Sequence, residues 1–217
     1  MIIRVLLADD HAIIREGLSI MLENQPDMEV VASAANGREA VQLVDKHKPD
    51  VIVIDISMPE LNGIDAIQQI LPHHPNLKVI VLSIHETKPY VYRALKAGAK
   101  GYLLKETAGL EVVDAVRTTH RGERYLSKRI ADLLMDEAFL HLETSLDFNL
   151  LETLSPRERE ILQLVAEGKT SQQIGERLFI SPKSVDTYRS RLMQKIGVED
   201  MAGLVKFAIQ QGLISLE

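Results

Sequence analysis

Residues 1–10 read MIIRVLLADD: an apolar run, broken only by Arg4, that stops on two aspartates. Three more short runs end on a polar side chain in the same way. Residues 51–54 (VIVI) lead into Asp55, residues 79–82 (VIVL) into Ser83, and residues 101–104 (GYLL) into Lys105. Runs this short and this apolar, separated by stretches of helical periodicity, read as strands buried on both faces of a parallel sheet. In such sheets ligands bind outside the carboxyl ends of the strands, at a topological switch point. Four strands therefore deliver three carboxylates (Asp9, Asp10, Asp55), a hydroxyl and an amine to one crevice, a set suited to a divalent cation and a phosphoryl group.

Helical periodicity fills the intervals at residues 12–24, 37–47, 63–71, 88–97 and 110–121. The first of these puts Ile13, Ile14, Leu18, Met21 and Leu22 on one face. Residues 29–34 (EVVASA) supply one more strand. Five strands alternating with five helices predict an α/β domain over residues 1–122. Its core is a doubly wound five-stranded parallel sheet in flavodoxin-like order with right-handed crossovers.

Composition narrows the function classes. No apolar stretch approaches the roughly 20 residues needed to cross a bilayer, and the early turn to acidic residues makes the start a poor signal peptide. The absence of cysteine removes disulfides and thiolate metal sites. A cytoplasmic chain with no membrane partner is the expectation. The net charge of −6 argues against nucleic acid for the chain as a whole, but residues 151–217 hold 9 Lys+Arg against 9 Asp+Glu. Within them, residues 183–195 carry Lys183, Arg189, Arg191 and Lys195 against Asp186 alone. That local surplus on a single helix suits a polyanionic partner better than the average does.

Beyond the first domain, residues 127–143 form an amphipathic pattern with Ile130, Leu133, Leu134, Ala138 and Leu142, and residues 144–153 lose periodicity. Residues 123–153 are thus expected to be a linker containing one helix. Residues 154–217 carry only helix signals. Ser155-Pro156 with Glu158 opens the first helix, Thr170 caps a second, and Ser181-Pro182 opens a third that Gly197 stops. A fourth, residues 201–211, ends at Gly212. The turn between the second and third helices is only Phe179-Ile180-Ser181, the spacing of a helix-turn-helix.

These motifs together resemble bacterial two-component response regulators of the NarL/FixJ class, in which a receiver domain precedes a LuxR-type helix-turn-helix domain. The receiver motifs are Asp9-Asp10, DISMP at 55–59, Ser83 after VIVL, and YLLK at 102–105; the effector motif is LSPREREILQLVAEGKTSQQIGERLFISPKSVDTYRSRL at 154–192. The resemblance implies that Asp55 accepts a phosphoryl group from a sensor histidine kinase with magnesium. It makes Asp10 and Asp55 direct ligands of the ion, Asp9 a ligand through water, and the Ser57 carbonyl a further ligand. Lys105 and Ser83 would hold the phosphoryl oxygens, with Ser83 and Tyr102 forming the switch. Ser57 and His85 would tune dephosphorylation. The expected output is binding to double-stranded DNA as a homodimer once phosphorylated, with RNA polymerase a further partner. No enzymatic activity is implied beyond the receiver's own phosphoryl transfer and dephosphorylation.

The third effector helix can be read by its faces. Val185, Tyr188, Leu192 and Ile196 share the inward side, with the Tyr188 hydroxyl in reach of a phosphate. Lys183, Asp186, Thr187, Ser190 and Gln194 face the opposite way as base-edge candidates, with Ser184 in the same first turn. Arg189, Arg191 and Lys195 flank that side and suit phosphates, as does Thr170 at the preceding helix. Asp186 has two readings: an acceptor for a cytosine amino group, or a first-turn cap. Leu204 and Phe207 on the last helix serve either pairing or the domain's own core. A phosphatase with an aspartate nucleophile would share the carboxylate and lysine logic but would want D-x-D on its first strand, which here ends Asp9-Asp10-His11. The complete five-residue set argues against a degenerate receiver acting only as an adaptor.

Overall fold

The computed structural model describes residues 2–140, 150–211 and 213–214, in two compact units, Met1–Thr144 and Ser145–Glu217. In the first unit the apolar runs become strands β1 (Ile3–Ala8), β2 (Met28–Ala34), β3 (Val51–Asp55), β4 (Lys78–Ser83) and β5 (Gly101–Leu104). Between and after them lie helices α1 (Ala12–Glu23), α2 (Gly37–His47), α3 (Gly63–Ile70), α4 (Lys88–Lys96) and α5 (Ala108–His120). Among the described residues the pairings are parallel, in the order β2-β1-β3-β4-β5 with one more short strand at the β5 edge. Every residue of β3 is buried because the strand is covered on both faces. Leu6, Ile52, Ile54, Val79 and Val81 pack with Ala40, Val44, Ile67 and Ala94 on one side. Leu7, Val51, Val53, Ile80 and Leu82 pack with Leu18, Leu22, Val112 and Val116 on the other.

Six strands, not five, make the sheet. Tyr125–Leu126 (β6) pairs with Gly101–Tyr102 at the open edge. A two-residue strand has too little alternation to be told from a turn, and the polar RGER sequence before it reads as loop. Helix α6 (Lys128–Leu140) then packs beside α4 and β6: Ile130 is fully buried in the core, and Leu133 and Leu134 pack against it. The amphipathic pattern was legible; that its apolar face covers the first unit was not. Expected linker residues 144–149 and the Gly212 stop lie outside the described residues.

Register sets the site. Ala8 pairs with Ile54, which brings the next residues, Asp9 and Asp55, side by side. Ser83 pairs with Leu104, and the Lys105 N–H donates to the Ser83 carbonyl at 2.9 Å. Gly63, the first residue of α3, presses so closely on the Asp55 carbonyl that a Cβ would collide with backbone.

The second unit holds a 3-10 turn (Leu150–Thr153) and helices α7 (Pro156–Ala166), α8 (Ser171–Leu178), α9 (Pro182–Ile196) and α10 (Met201–Gln210). Capping boxes start α7 (Ser155, Glu158) and α8 (Thr170, Gln173). Phe179 ends α8 in the left-handed region, and Gly197 ends α9 there. Val185, Leu192 and Ile196 turn inward from α9 onto Ile161, Leu164 and Ile174. Leu204 and Phe207 belong to the same core, so the burial reading of these two side chains holds.

Candidate functional site

At the carboxyl edge of the sheet, Lys105 Nζ lies 2.7 Å from Asp9 Oδ2 and 2.8 Å from Asp55 Oδ2. Both carboxylates are 2% exposed. One ammonium thus serves two buried anions, with Asp10 close by. Ligand oxygens of Asp9, Asp10 and Asp55, together with a ring nitrogen of His11, all lie within 4.8 Å of one another. His11 is the member of this group that sequence reading left out; its Nδ1 is 3.1 Å from Asp9 Oδ1 and 2.7 Å from Asp10 Oδ1. Its position directly after the two aspartates was the available signal.

The charges do not balance. Burial raises the Asp55 carboxyl above the ordinary carboxylate range, and the neighbouring Asp9 adds to this, against the pull of Lys105. Burial also works against the Lys105 charge, but Asp55 and Asp9 outweigh it and hold the ammonium above its ordinary value. Asp9 Oδ2 and Asp10 Oδ1 are closed off from solvent yet accept no well-aligned hydrogen bond. Hard carboxylate oxygens with spare lone pairs, clustered around a surplus of negative charge, fit a magnesium ion, which takes one or two carboxylates together with phosphate oxygens and water.

The rim of the pocket is tied together by hydrogen bonds. The Ser57 N–H donates to Asp55 Oδ1 at 3.1 Å, and Ser57 Oγ is hydrogen-bonded to His85 Nε2 at 3.0 Å. Ser83 Oγ accepts the His85 N–H at 2.9 Å, while the Tyr102 hydroxyl donates to the His85 carbonyl at 2.6 Å. The His85 ring stacks on Tyr90 at 3.9 Å between centroids. Burial, and then Lys105, hold the His85 ring below its usual proton affinity. Tyr102 is fully buried, its ring already turned inward, and burial pushes its phenol up. The structure thus brings Asp9, Asp10, Asp55, Ser57, Ser83, His85, Tyr102 and Lys105 to one place and adds His11.

On α9 the predicted contacts divide. Lys183, Thr187, Ser190 and Arg191 are exposed, and Lys183 and Arg191 have no ion pair among the described residues. Thr187 and Ser190 turn their hydroxyls back to the carbonyls one turn earlier. Ser184 forms the first-turn bonds to Ser181, the true cap, so Asp186 is not that cap. Asp186 Oδ1 instead accepts from Ser171 Oγ at 2.6 Å. Arg189 donates to Ser171 Oγ at 2.8 Å and to the Lys169 carbonyl at 3.1 Å. Arg189 therefore brackets α9 to the start of α8. Lys195 pairs with Glu158 of α7 at 3.0 Å. Tyr188 is half-buried against the core, and the Thr170 hydroxyl accepts from the Gln173 N–H while staying exposed.

The sign of the Asp55 shift gives a stability prediction. A folded-state carboxyl raised above its unfolded value binds more protons when folded, so stability falls as pH rises through the window between the two values. Asp55→Asn is expected to remove that fall and to stabilise the first unit at neutral pH by about 1 kcal/mol. Urea denaturation of both proteins across pH, without divalent metal, checks it; a destabilised variant contradicts it.

The response regulator receiver domain model matches residues 5–117, and the model of bacterial regulatory proteins of the luxR family matches residues 152–208. The oxygen regulatory protein NreC of Staphylococcus epidermidis is 38% identical over 215 residues, covering 97% of this chain and 99% of that protein. The crystal structure of the response regulator ChrA, from a heme-sensing two-component system, is 34% identical with a TM-score of 0.52, covering 98% and 99% of the two chains. The response regulator RcsB in a DNA complex is 27% identical with a TM-score of 0.59, covering 95% and 98%. A buried acidic pocket on a receiver sheet, followed by a LuxR-type helix-turn-helix, makes this chain a member of the NarL/FixJ class of two-component response regulators.

Proposed function

We propose that the chain is a cytoplasmic, phosphorylation-controlled transcriptional regulator in which Asp55 accepts a phosphoryl group from a sensor histidine kinase. The observation that carries this is Lys105 Nζ placed between Asp9 and Asp55 at the ends of β1 and β3, with Ser83 at the end of β4. An Asp55 oxygen forms the new bond to phosphorus as the bond from phosphorus to the donor breaks, leaving an acyl phosphate. Lys105 passes from the Asp55 carboxylate to the phosphoryl oxygens, and the Ser57 N–H holds the carboxylate oriented. Asp10 and Asp55 would hold magnesium directly, with Asp9 through water and the Ser57 carbonyl as a further ligand. When bound, the ion supplies the positive charge that lets a dianionic group approach three carboxylates. For that, His11 turns out toward solvent, which its exposed ring allows.

The Ser83 hydroxyl accepts the His85 N–H and keeps its own O–H proton to donate to the phosphoryl group, so the switch is the turn of Ser83 toward those oxygens, which adds a charge-assisted bond and shifts the loop it holds at His85. Since Tyr102 is already buried, its part is to hold the His85 carbonyl rather than to swing inward. The receiver's catalysis is limited to its own phosphoryl transfer and dephosphorylation, the latter tuned by the Ser57–His85 pair at the pocket rim.

The functional parts are taken as a receiver core over residues 1–122, a connecting region over 123–153 and the DNA-binding domain over 154–217. Lys183, Ser184, Thr187, Tyr188, Ser190 and Arg191 face double-stranded DNA from α9, with Thr170 on a phosphate. Asp186, Arg189 and Lys195 set the pose of that helix. Phosphorylated receivers pair through α1 and α5, where Ile13, Ile20, Met21 and Leu110 stand exposed. RNA polymerase is a further partner of the DNA-bound dimer.

Light scattering with magnesium and beryllofluoride, a mimic of the phosphoryl group, should show a doubling of molar mass that Asp55→Ala abolishes. Unchanged mass in the wild type would contradict phosphorylation-driven pairing. For the effector, Arg191→Ala is expected to weaken binding to a non-specific duplex and to reduce the slope of log affinity against log salt by about 1. Its melting temperature should stay at the wild-type value, whereas Arg189→Ala should lower it; anisotropy titrations and thermal melts separate the two.

A further inference from the structure

Helix α6 is fastened to the first unit beside the residues that surround Asp55. Ser127, buried just ahead of the helix, donates its N–H to the Tyr102 carbonyl at 2.9 Å and its hydroxyl to Glu111 Oε2 at 2.6 Å. It also accepts the Leu104 N–H at 3.3 Å. Two residues on, Arg129 grips Glu86 side-on, with Nε 2.6 Å from Oε2 and Nη2 2.8 Å from Oε1. Arg129 Nη1 also lies 3.8 Å from Glu106 Oε2. Glu86 directly follows His85, whose N–H is held by Ser83, and Glu106 directly follows Lys105. One guanidinium on α6 therefore touches the neighbours of two phosphoryl-site residues.

This contact is placed to be broken. Arg129 is 62% exposed, so its hold on Glu86 is a solvent-facing pair, weak enough to be released by a small shift of its partner. A cavity of about 490 Å³ lined by Glu86, Thr87, Lys88, Pro89, Arg129 and Leu133 lies next to it. Packed side chains do not fill the space between the loop and α6 there, and the ion pair spans its edge. Ile130 anchors the start of α6 in the core independently of the pair.

Resting on the reading of Ser83 as the phosphoryl-binding hydroxyl, we propose that the Arg129–Glu86 pair is a release catch on α6. When Ser83 turns toward the phosphoryl group, the loop it holds through the His85 N–H shifts with it, Glu86 is displaced from Arg129, the catch opens, and α6 loosens over the turns beyond Ile130. Because α6 is the element from which the chain runs on to the DNA-binding domain, its release carries the state of Asp55 out of the receiver.

Hydrogen exchange on the full chain, with and without magnesium and beryllofluoride, tests this. In the wild type, peptides spanning 128–140 should exchange about two- to fivefold faster on activation, the factor that a half-exposed bidentate pair supports. In Arg129→Gln and in Glu86→Gln those peptides should exchange at the faster rate from the outset and respond no further, while peptides spanning 83–90 still respond to the activator. The catch is overturned if 83–90 responds in the wild type and 128–140 does not, or if both variants match the wild type in both states. Should 83–90 itself fail to respond in the wild type, the reading of Ser83 and Asp55 falls, and the catch with it.

Discussion

The contact of one largely covered ammonium, Lys105, with two buried carboxylates is the interaction on which the rest of this structure depends. Parallel strands in this register bring Asp9, Asp55, Ser83 and Lys105 to one edge of the sheet. Burial of the acids is costly, and Lys105 offsets only part of it, as the raised proton affinity of Asp55 shows. The chain thus keeps an uncompensated negative charge where a cation and a phosphoryl group can relieve it. An Asp55 more fully paired would make a more stable domain and a poorer acceptor.

That imbalance is linked to the loop after β4 through few bonds. Ser83 holds His85, His85 holds Ser57, Tyr102 holds the His85 carbonyl, and Glu86 beside them holds α6. Each link is a hydrogen bond or an ion pair, so a change at Asp55 needs to displace only a loop of a few residues to be felt at α6. In the second unit the rigidity is arranged differently: Asp186, Arg189 and Lys195 tie α9 to α8 and α7, leaving Lys183 and Arg191 exposed on a helix whose pose is fixed.

Much of this was legible in the sequence, for identifiable reasons. Strands buried on both faces must be continuously apolar, so β1, β3, β4 and β5 announced themselves, and the first polar residue after each named the site. Helix starts at Ser155, Thr170 and Ser181 are written in local capping chemistry, which the structure shows bonded as expected. What periodicity could not give was partnership between elements. It phased α9 correctly but could not say that Asp186 and Arg189 bond to Ser171 and Lys169, or that Lys195 meets Glu158. It found the apolar stripe of α6 but not the core that stripe covers, and a two-residue β6 carries no period to find. His11 was passed over although it directly follows Asp10, and for His85 the position was legible but its bonds to Ser57 and Tyr102 across the fold were not.

The central claim is that the four strand ends form one magnesium-dependent phosphoryl site on Asp55. Its most direct test is to incubate the full chain with a small-molecule phosphoryl donor, with and without magnesium, and to locate the product by reductive trapping of the acyl phosphate and mass spectrometry. A single magnesium-dependent phosphoryl group on Asp55, strongly diminished by Lys105→Met, is the predicted result. Modification that ignores magnesium, falls on another residue, or is absent from the wild type would contradict it.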